Sequence, residues 1–275
     1  MNRKRRVGLI GCGAIGSEIA VAVDSGRVNA ELVAVYDVYR ERADALVNRL
    51  NSKPSIADNI DTLLASNAEL IVEAASQQAV KDHAKSIVEH NKDLMLMSVG
   101  ALLDDAFYAE LRSLLERYGR RLYLPSGAIA GIDAIRSVRH LLKEVTITTT
   151  KHPRALTDAP FFKEHRVSLK GLRKAKMIYR GDARDAVRLF PANVNVAAIL
   201  SLAGIGADRT MVRIVADPRA KRNIHEIQAK GEFGELYFKV SNIPSPNNPK
   251  TSYLAVLSAI ECLARACNDM VSIGT

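Results

Sequence analysis

The sequence predicts an α/β fold. Its N-terminal part is a doubly wound parallel sheet of the Rossmann type, and its second part is an α+β domain built on a mixed sheet. Three observations carry this reading. First, in Val7-Gly-Leu-Ile-Gly-Cys-Gly-Ala-Ile-Gly16 an apolar run enters a glycine turn, and an amphipathic stretch over 14–25 leaves it. Second, short apolar runs alternate with stretches of helical period as far as Pro125. This is the pattern of a parallel sheet with crossover helices. Third, the pattern changes after about Leu142 to segments that alternate apolar and polar, as half-exposed strands do.

The elements follow in order. Gly11, Gly13 and Gly16 form G-x-G-x-x-G. The first glycine permits the tight turn, the second lets the backbone approach a pyrophosphate, and the third lets the helix pack on the strand. Free N–H groups at the helix start, around Ala14 and Ile15, then face the phosphates of a dinucleotide. A second apolar run, 32–36, ends in Asp37, twenty-one residues after Gly16, where an acid takes the adenosine ribose hydroxyls. A helix follows over 39–50. Its Arg40 and Arg42 lie within reach of a 2′-phosphate, so NADP stays open beside NAD, although Asp37 would repel that phosphate.

A short helix is expected over 59–66, then a strand over 68–75 ending in small residues. Ala75 there lets a cofactor approach a strand's carboxyl end. A helix over 78–90 and a strand over 93–98 come next. Ser98-Val-Gly-Ala-Leu102 forms another crevice edge, and Asp104 caps a helix running to about Tyr118. A strand over 121–125 leads into Ser126-Gly-Ala-Ile-Ala-Gly-Ile-Asp133, which reads either as a close-packed loop or as a helix start offering N–H groups to an anion.

In the second part, strands are expected over 144–150 and 211–216, with a strand pair over 223–230 and 234–240 joined by Gly231-Glu-Phe-Gly234. An apolar helix follows Phe190-Pro-Ala-Asn-Val-Asn195 to about Ala203, and a last helix covers 252–270. The expected boundaries are a dinucleotide-binding domain over 1–135, a substrate and catalytic domain over 136–250, and a C-terminal helix over 251–275 that packs back on the first domain or at a subunit interface.

Composition narrows the function. At 275 residues and 48% hydrophobic, the chain is long enough for a sizeable core. It has no apolar run of membrane-spanning length, and the apolar part of its N-terminus is too short for a signal peptide, so a cytoplasmic protein with no membrane partner is expected. The cysteines Cys12, Cys262 and Cys267 have neither disulfide-framework nor metal-site spacing, so no metal is expected. The net charge of +9 is spread along the chain with few interleaved aromatics. That argues for a solvated basic surface that steers anionic small molecules, and against nucleic acid as a partner.

A dinucleotide domain followed by a sheet domain implies hydride transfer in the cleft between them, and one proton to manage. His225, in Arg222-Asn-Ile-His-Glu226, is the best candidate for that proton. On an alternating strand it shares a face with Asn223 and Ile227, and imidazole suits general acid–base work. His152 and His165 compete on the same logic, His152 also reading as part of a capped turn. Asn193 and Asn195 sit near a helix start, either as caps or to orient a carboxamide or carboxylate. Lys250, Thr251 and Ser252 offer a cation, hydroxyls and helix N–H groups for a substrate carboxylate, or form a proline-ruled loop with a hydroxyl cap.

Taken together, Gly11-Cys-Gly-Ala-Ile-Gly16, Ser98-Val-Gly-Ala-Leu102, Pro125-Ser-Gly-Ala-Ile-Ala-Gly-Ile-Asp133, Phe190-Pro-Ala-Asn-Val-Asn195, Asn223-Ile-His225 and Asn247-Asn-Pro-Lys-Thr-Ser252 make the sequence resemble the L-aspartate dehydrogenase family over nearly its whole length. The resemblance implies reversible NAD(P)-dependent oxidation of L-aspartate to iminoaspartate, then oxaloacetate and ammonia, feeding the synthesis of NAD. It implies that His225 is the catalytic residue and that Ala128 and Asn195 contact the dinucleotide, with Ala130 and Asn193 as the neighbouring alternatives. A homodimer is expected, because the second sheet and the apolar last helix need cover. Two rivals remain: another NAD(P)-dependent reductase of dihydrodipicolinate or homoserine type, and a non-catalytic dinucleotide sensor.

Overall fold

The structure is a computed structural model that describes residues 3–191, 195–245 and 248–268, with the side chains of 248–250 and 268 outside the description. The described chain forms two compact units: residues 3–125 with 256–268, and residues 126–255.

The first unit is a six-stranded parallel sheet. Its strands are β1 (Arg5–Ile10), β2 (Ala30–Tyr36), β3 (Ser55–Ile56), β4 (Leu70–Glu73), β5 (Asp93–Leu96) and β6 (Leu122–Tyr123), in the order β3-β2-β1-β4-β5-β6. The order reverses at β1, so the glycine turn that follows β1 stands at the switch point, where doubly wound sheets bind their ligands. The helices α1 (Ala14–Asp24), α2 (Arg40–Arg49), α3 (Ile60–Ala65), α4 (Gln77–Glu89) and α5 (Asp105–Tyr118) are the crossovers. Their ends are set locally. Asn59, Ser76 and Asp104 accept the N–H groups of Thr62, Ala79 and Phe107 at the starts of α3, α4 and α5. Each such cap is worth about 1 kcal/mol. Leu70, Ile71 and Val72 of β4 are wholly buried between the helical layers, each contributing roughly 1.5–3 kcal/mol of transfer free energy.

In the second unit, α6 (Ile132–Ser137) precedes β7 (Leu142–Lys151), α7 (Pro160–Glu164), β8 (Lys176–Asp182), α8 (Ala183–Leu189) and α9 (Asn195–Ala203). Then come β9 (Thr210–Ala216), β10 (Asn223–Gly231), β11 (Gly234–Asn242), and the short pair β12 (Pro244–Ser245) and β13 (Asn248–Ser252). The sheet is mixed, in the order β11-β10-β7-β9-β8, with β7 and β9 parallel and its other neighbours antiparallel. The β10–β11 hairpin closes at Gly231 and Gly234, as the sequence suggests. One face carries Val145, Ile147, Val212, Ile214, Ile227 and Ala229, all buried, with α8 and α9 packed on the β8–β9 side of the sheet. The last helix, α10 (Tyr253–Asn268), begins in this unit, and its residues from Val256 belong to the first. There Arg5 donates to the Ala266 carbonyl at 2.7 Å.

Several elements have no counterpart in the sequence reading. β8 and α8 carry Arg180, Arg184 and Arg188 among their apolar residues, which masks their periodicity. β3 has two residues, too few to show a pattern.

Candidate active site

The glycine turn is shaped by contact. Gly11 has φ +93, a left-handed conformation suited to glycine, and a Cβ there would lie 2.6 Å from the Ala74 carbonyl oxygen and 2.9 Å from the Ala75 nitrogen. A Cβ on Gly16 would lie 1.9 Å from the Gly11 carbonyl oxygen, so only glycine lets α1 lie so close to the turn. At Gly13 the same test meets nothing within 4 Å. Gly13 is also the N-cap of α1 and makes no side-chain cap bond there. The start of α1, with Ala14 and Ile15, therefore faces open space with the polarity that suits a pyrophosphate. These residues fit a dinucleotide.

Asp37, at the carboxyl end of β2, accepts the backbone N–H of Cys12 at 2.7 Å and that of Tyr39 at 2.9 Å. It thus ties the glycine turn to the β2 loop. Burial, with Asp37 adding to it, pushes the Cys12 thiol up to about 12. Arg40 is paired with Asp44 at 3.3 Å and with Asp58, and the Arg42 guanidinium lies over the Tyr39 ring at 4.4 Å.

Ala75 sits beside the turn, held by a carboxylate that the sequence reading passed over. Glu73 is 1% exposed and accepts from Ala75 N at 2.7 Å, Ser98 N at 3.1 Å and Ser98 Oγ at 2.9 Å. Burial raises its pKa, and these hydrogen bonds oppose the shift. The loops after β4 and β5 are thereby joined by one side chain. Ser98-Val-Gly-Ala-Leu102 itself is a buried 3-10 turn over Val99–Leu103.

The second unit gathers the other candidates. His225 lies on β10 opposite Thr149 of β7, with Thr149 Oγ1 and His225 Nδ1 3.0 Å apart. It is 2% exposed. Burial, and then the charge of Lys151, push its pKa down to about 3, so the imidazole is neutral at physiological pH. On the same face, Asn223 donates to Ser252 Oγ at 3.2 Å, and Asn242 of β11 donates to the Ala128 carbonyl at 3.0 Å. The 126–131 loop is thus fastened to the sheet near His225. Gly127 of that loop lies against Val196 of α9, next to Asn195, the first residue of that helix. Ala128, Asn195 and His225 therefore belong to one connected region of the second unit. Ala128 and Val196 are buried.

Thr251 lies in β13, directly before Ser252. The backbone of Lys250 is in the same strand, and its side chain lies outside the described residues, as do Asn193 and Asn247. His152 and His165 do local work instead. His152 Nδ1 accepts from Arg154 N at 3.2 Å to cap a turn, and the His165 ring stacks on Phe161 at 4.4 Å.

Thr149, Lys151 and Asn242 are candidate site residues that the sequence reading did not single out. The signal was available in β7. There Val145, Ile147, Thr149 and Lys151 occupy successive inward positions, and the last two are polar where the pattern calls for apolar residues. Among the described residues no group of acids, histidines and cysteines is arranged to hold a metal ion.

Two family models match the chain, one on either side of the 126–132 loop. Residues 133–266 match the family model "Aspartate dehydrogenase, C-terminal", and residues 11–125 match "Homoserine dehydrogenase, NAD binding domain". Over 271 residues the chain is 48% identical to the L-aspartate dehydrogenase of Nitrosopumilus maritimus, covering 98% of this chain and 100% of that one. It is 47% identical to that of Methanosarcina mazei, covering 98% and 99%. A crystal structure of aspartate dehydrogenase from Thermotoga maritima superposes with a TM-score of 0.77 at 28% identity, covering 99% of this chain and 100% of that one. The scyllo-inositol dehydrogenase of Lactobacillus casei shares the fold, with a TM-score of 0.59 at 12% identity, covering 96% of this chain and 89% of that one.

Proposed function

The chain belongs to the L-aspartate dehydrogenase family, and on that premise we propose how its residues divide the work of an NAD(P)-dependent oxidation of the CH–NH2 group of L-aspartate. The reaction is L-aspartate + NAD(P)⁺ + water ⇌ oxaloacetate + ammonia + NAD(P)H, by way of iminoaspartate. Neither the reductase rivals nor the sensor is favoured by the relatives. The observation that carries the division of roles is the buried, neutral His225, held by Thr149 on the inner face of the second sheet.

When bound, the nicotinamide dinucleotide accepts the hydride from the aspartate Cα. The turn residues Gly11, Gly13, Ala14, Ile15 and Gly16 hold its pyrophosphate, Asp37 its ribose, and Ala75 lets it approach β4. Ala128 and Asn195 hold its far end. Thr251 and Lys250 take a substrate carboxylate. His225 takes a proton from the water that adds to the imine carbon and passes it to the nitrogen, which leaves as ammonia as the hydroxyl loses its proton and the carbonyl of oxaloacetate forms. For this step Nδ1–H donates to Thr149 Oγ1, so that Nε2 carries the free lone pair. Holding the reactants in line supplies much of the rate.

NAD is the preferred cofactor in this reading, because Asp37 repels a 2′-phosphate and Arg40 is engaged by two carboxylates. The product feeds NAD synthesis, and the enzyme works in the cytoplasm. No helix among the described residues is long and apolar enough to cross a membrane. A homodimer is supported by the second face of the five-stranded sheet, where Thr146, Thr148, Thr150, Met211, Val215 and Ile224 are half-buried in the single chain.

The test is NAD⁺ and NADP⁺ reduction followed by absorbance with L-aspartate, L-homoserine, L-glutamate and L-alanine. Turnover confined to L-aspartate is expected. His225→Ala is expected to lose about 10²–10⁴-fold in turnover while still binding NAD; a variant within a few-fold of the parent removes His225 from the mechanism.

A further inference from the structure

Lys151 ends β7 two residues after Thr149, and so on the same inner face as Thr149 and His225. At 4% exposed, it is a lysine where lysines are rarely found. Further along this face of β10, Asn223 donates to Ser252 Oγ. A buried ammonium gains from any anion brought to it, and the substrate of the proposed reaction brings two carboxylates.

We propose that Lys151 is a second catalytic residue, whose ammonium binds a carboxylate of the dicarboxylate substrate next to His225. The proposal rests on the aspartate dehydrogenase reading of the site. The charge acts on His225 as well, since it is the second cause, after burial, of the lowered histidine pKa. Burial lowers Lys151 itself to about 8, which leaves it mostly cationic at neutral pH and sensitive to an arriving anion. One lysine then does two things for the reaction. It anchors the substrate by charge, and because its own charge opposes protonation of His225, a substrate carboxylate bound to it eases the proton's arrival on the imidazole.

The roles separate by binding a non-reacting dicarboxylate. Succinate is titrated calorimetrically into full-length protein saturated with NADH, for the parent, Lys151→Met and Lys151→Arg, alongside kcat/KM for L-aspartate and the melting temperature. Lys151→Met is expected to weaken succinate at least ~30-fold and kcat/KM at least ~100-fold, with the NADH Kd within about 2-fold. Its melting temperature should stay close to the parent's, since the loss expected is of substrate contact rather than of the fold. Lys151→Arg should keep part of the succinate affinity. Should Lys151→Met fail to fold, Lys151→Gln carries the same readouts. Succinate affinity within about 3-fold of the parent overturns the proposal. So does a parallel loss of NADH affinity and melting temperature, which marks a structural lysine. A parent that binds succinate through Lys151 without oxidising L-aspartate upholds the carboxylate site at Lys151 and overturns the proposed reaction. A parent that oxidises L-aspartate beside a Lys151→Met that still binds succinate does the reverse.

Discussion

Thr149 and His225 face each other across adjacent antiparallel strands, Oγ1 to Nδ1 3.0 Å, at a place neither side chain shares with solvent. Thr149→Val keeps the shape and removes the hydroxyl. The imidazole then loses the partner that orients it and selects its tautomer. The expected result is a loss of about 10–100-fold in kcat, with the KM for NAD within about 2-fold. Steady-state kinetics check it, and ¹⁵N shifts of the ring report the tautomer directly. A variant with parental kcat means that the hydrogen bond does not prepare His225 for proton transfer.

Glu73 makes the loops after β4 and β5 one piece. Glu73→Ala leaves the two buried donors of Ser98 and the part-buried N–H of Ala75 without their acceptor, so a destabilisation of about 2–4 kcal/mol is expected. Because Ala75 lines the glycine turn, NADH affinity should weaken in the folded fraction too. Glu73→Gln keeps an acceptor oxygen and should cost less on both counts. Denaturant melts and NADH fluorescence titrations measure these, and an alanine variant with unaltered NADH affinity would separate this carboxylate from the cofactor loops.

Acid should unfold the protein partly through His225. An unfolded histidine binds a proton near pH 6.5, whereas the native one refuses it until about 3. Between those values the unfolded chain holds the extra proton, so stability falls as pH drops through 6.5. His225 alone accounts for about 3 kcal/mol between pH 6.5 and pH 4. The difference in pH slope between the parent and His225→Gln isolates it, and equal slopes would contradict the buried neutral state.

Cofactor choice should turn on Asp37. Asp37→Ser removes the carboxylate that repels a 2′-phosphate, so the ratio of kcat/KM for NADP over NAD is expected to rise about 10-fold or more. The same change removes the acceptor for Cys12 N and Tyr39 N, and some loss of NAD activity should accompany it. An unchanged ratio would place the selectivity elsewhere.

The first unit was readable because its chemistry is local. A glycine turn, an acid at the next strand end and a series of capped helices each reside in a few consecutive residues, and all fall where the pattern puts them. In the second unit His225 was readable as an alternating strand residue. Thr149, Lys151 and Asn242 reach it only through strand register, and register is set by tertiary pairing rather than by any short motif. Glu73 escaped notice because a carboxylate at a strand end usually points to water, and here two loops fold over it. β8 was missed for a similar reason: it is the edge strand of its sheet, and its outer residues Met177 and Arg180 are exposed.

Arg5 near the start of the chain holds the Ala266 carbonyl near its end, and Val256, Ala259, Ile260 and Leu263 of the last helix are buried. Since that helix belongs to the unit that begins with β1, the second unit is an insertion within the first. During synthesis the strands of the parallel sheet are made before the inserted unit, and the helix that shares their compact unit is made after it. The first unit therefore cannot close until the inserted unit has been made, so its folding waits on residues far from it in sequence.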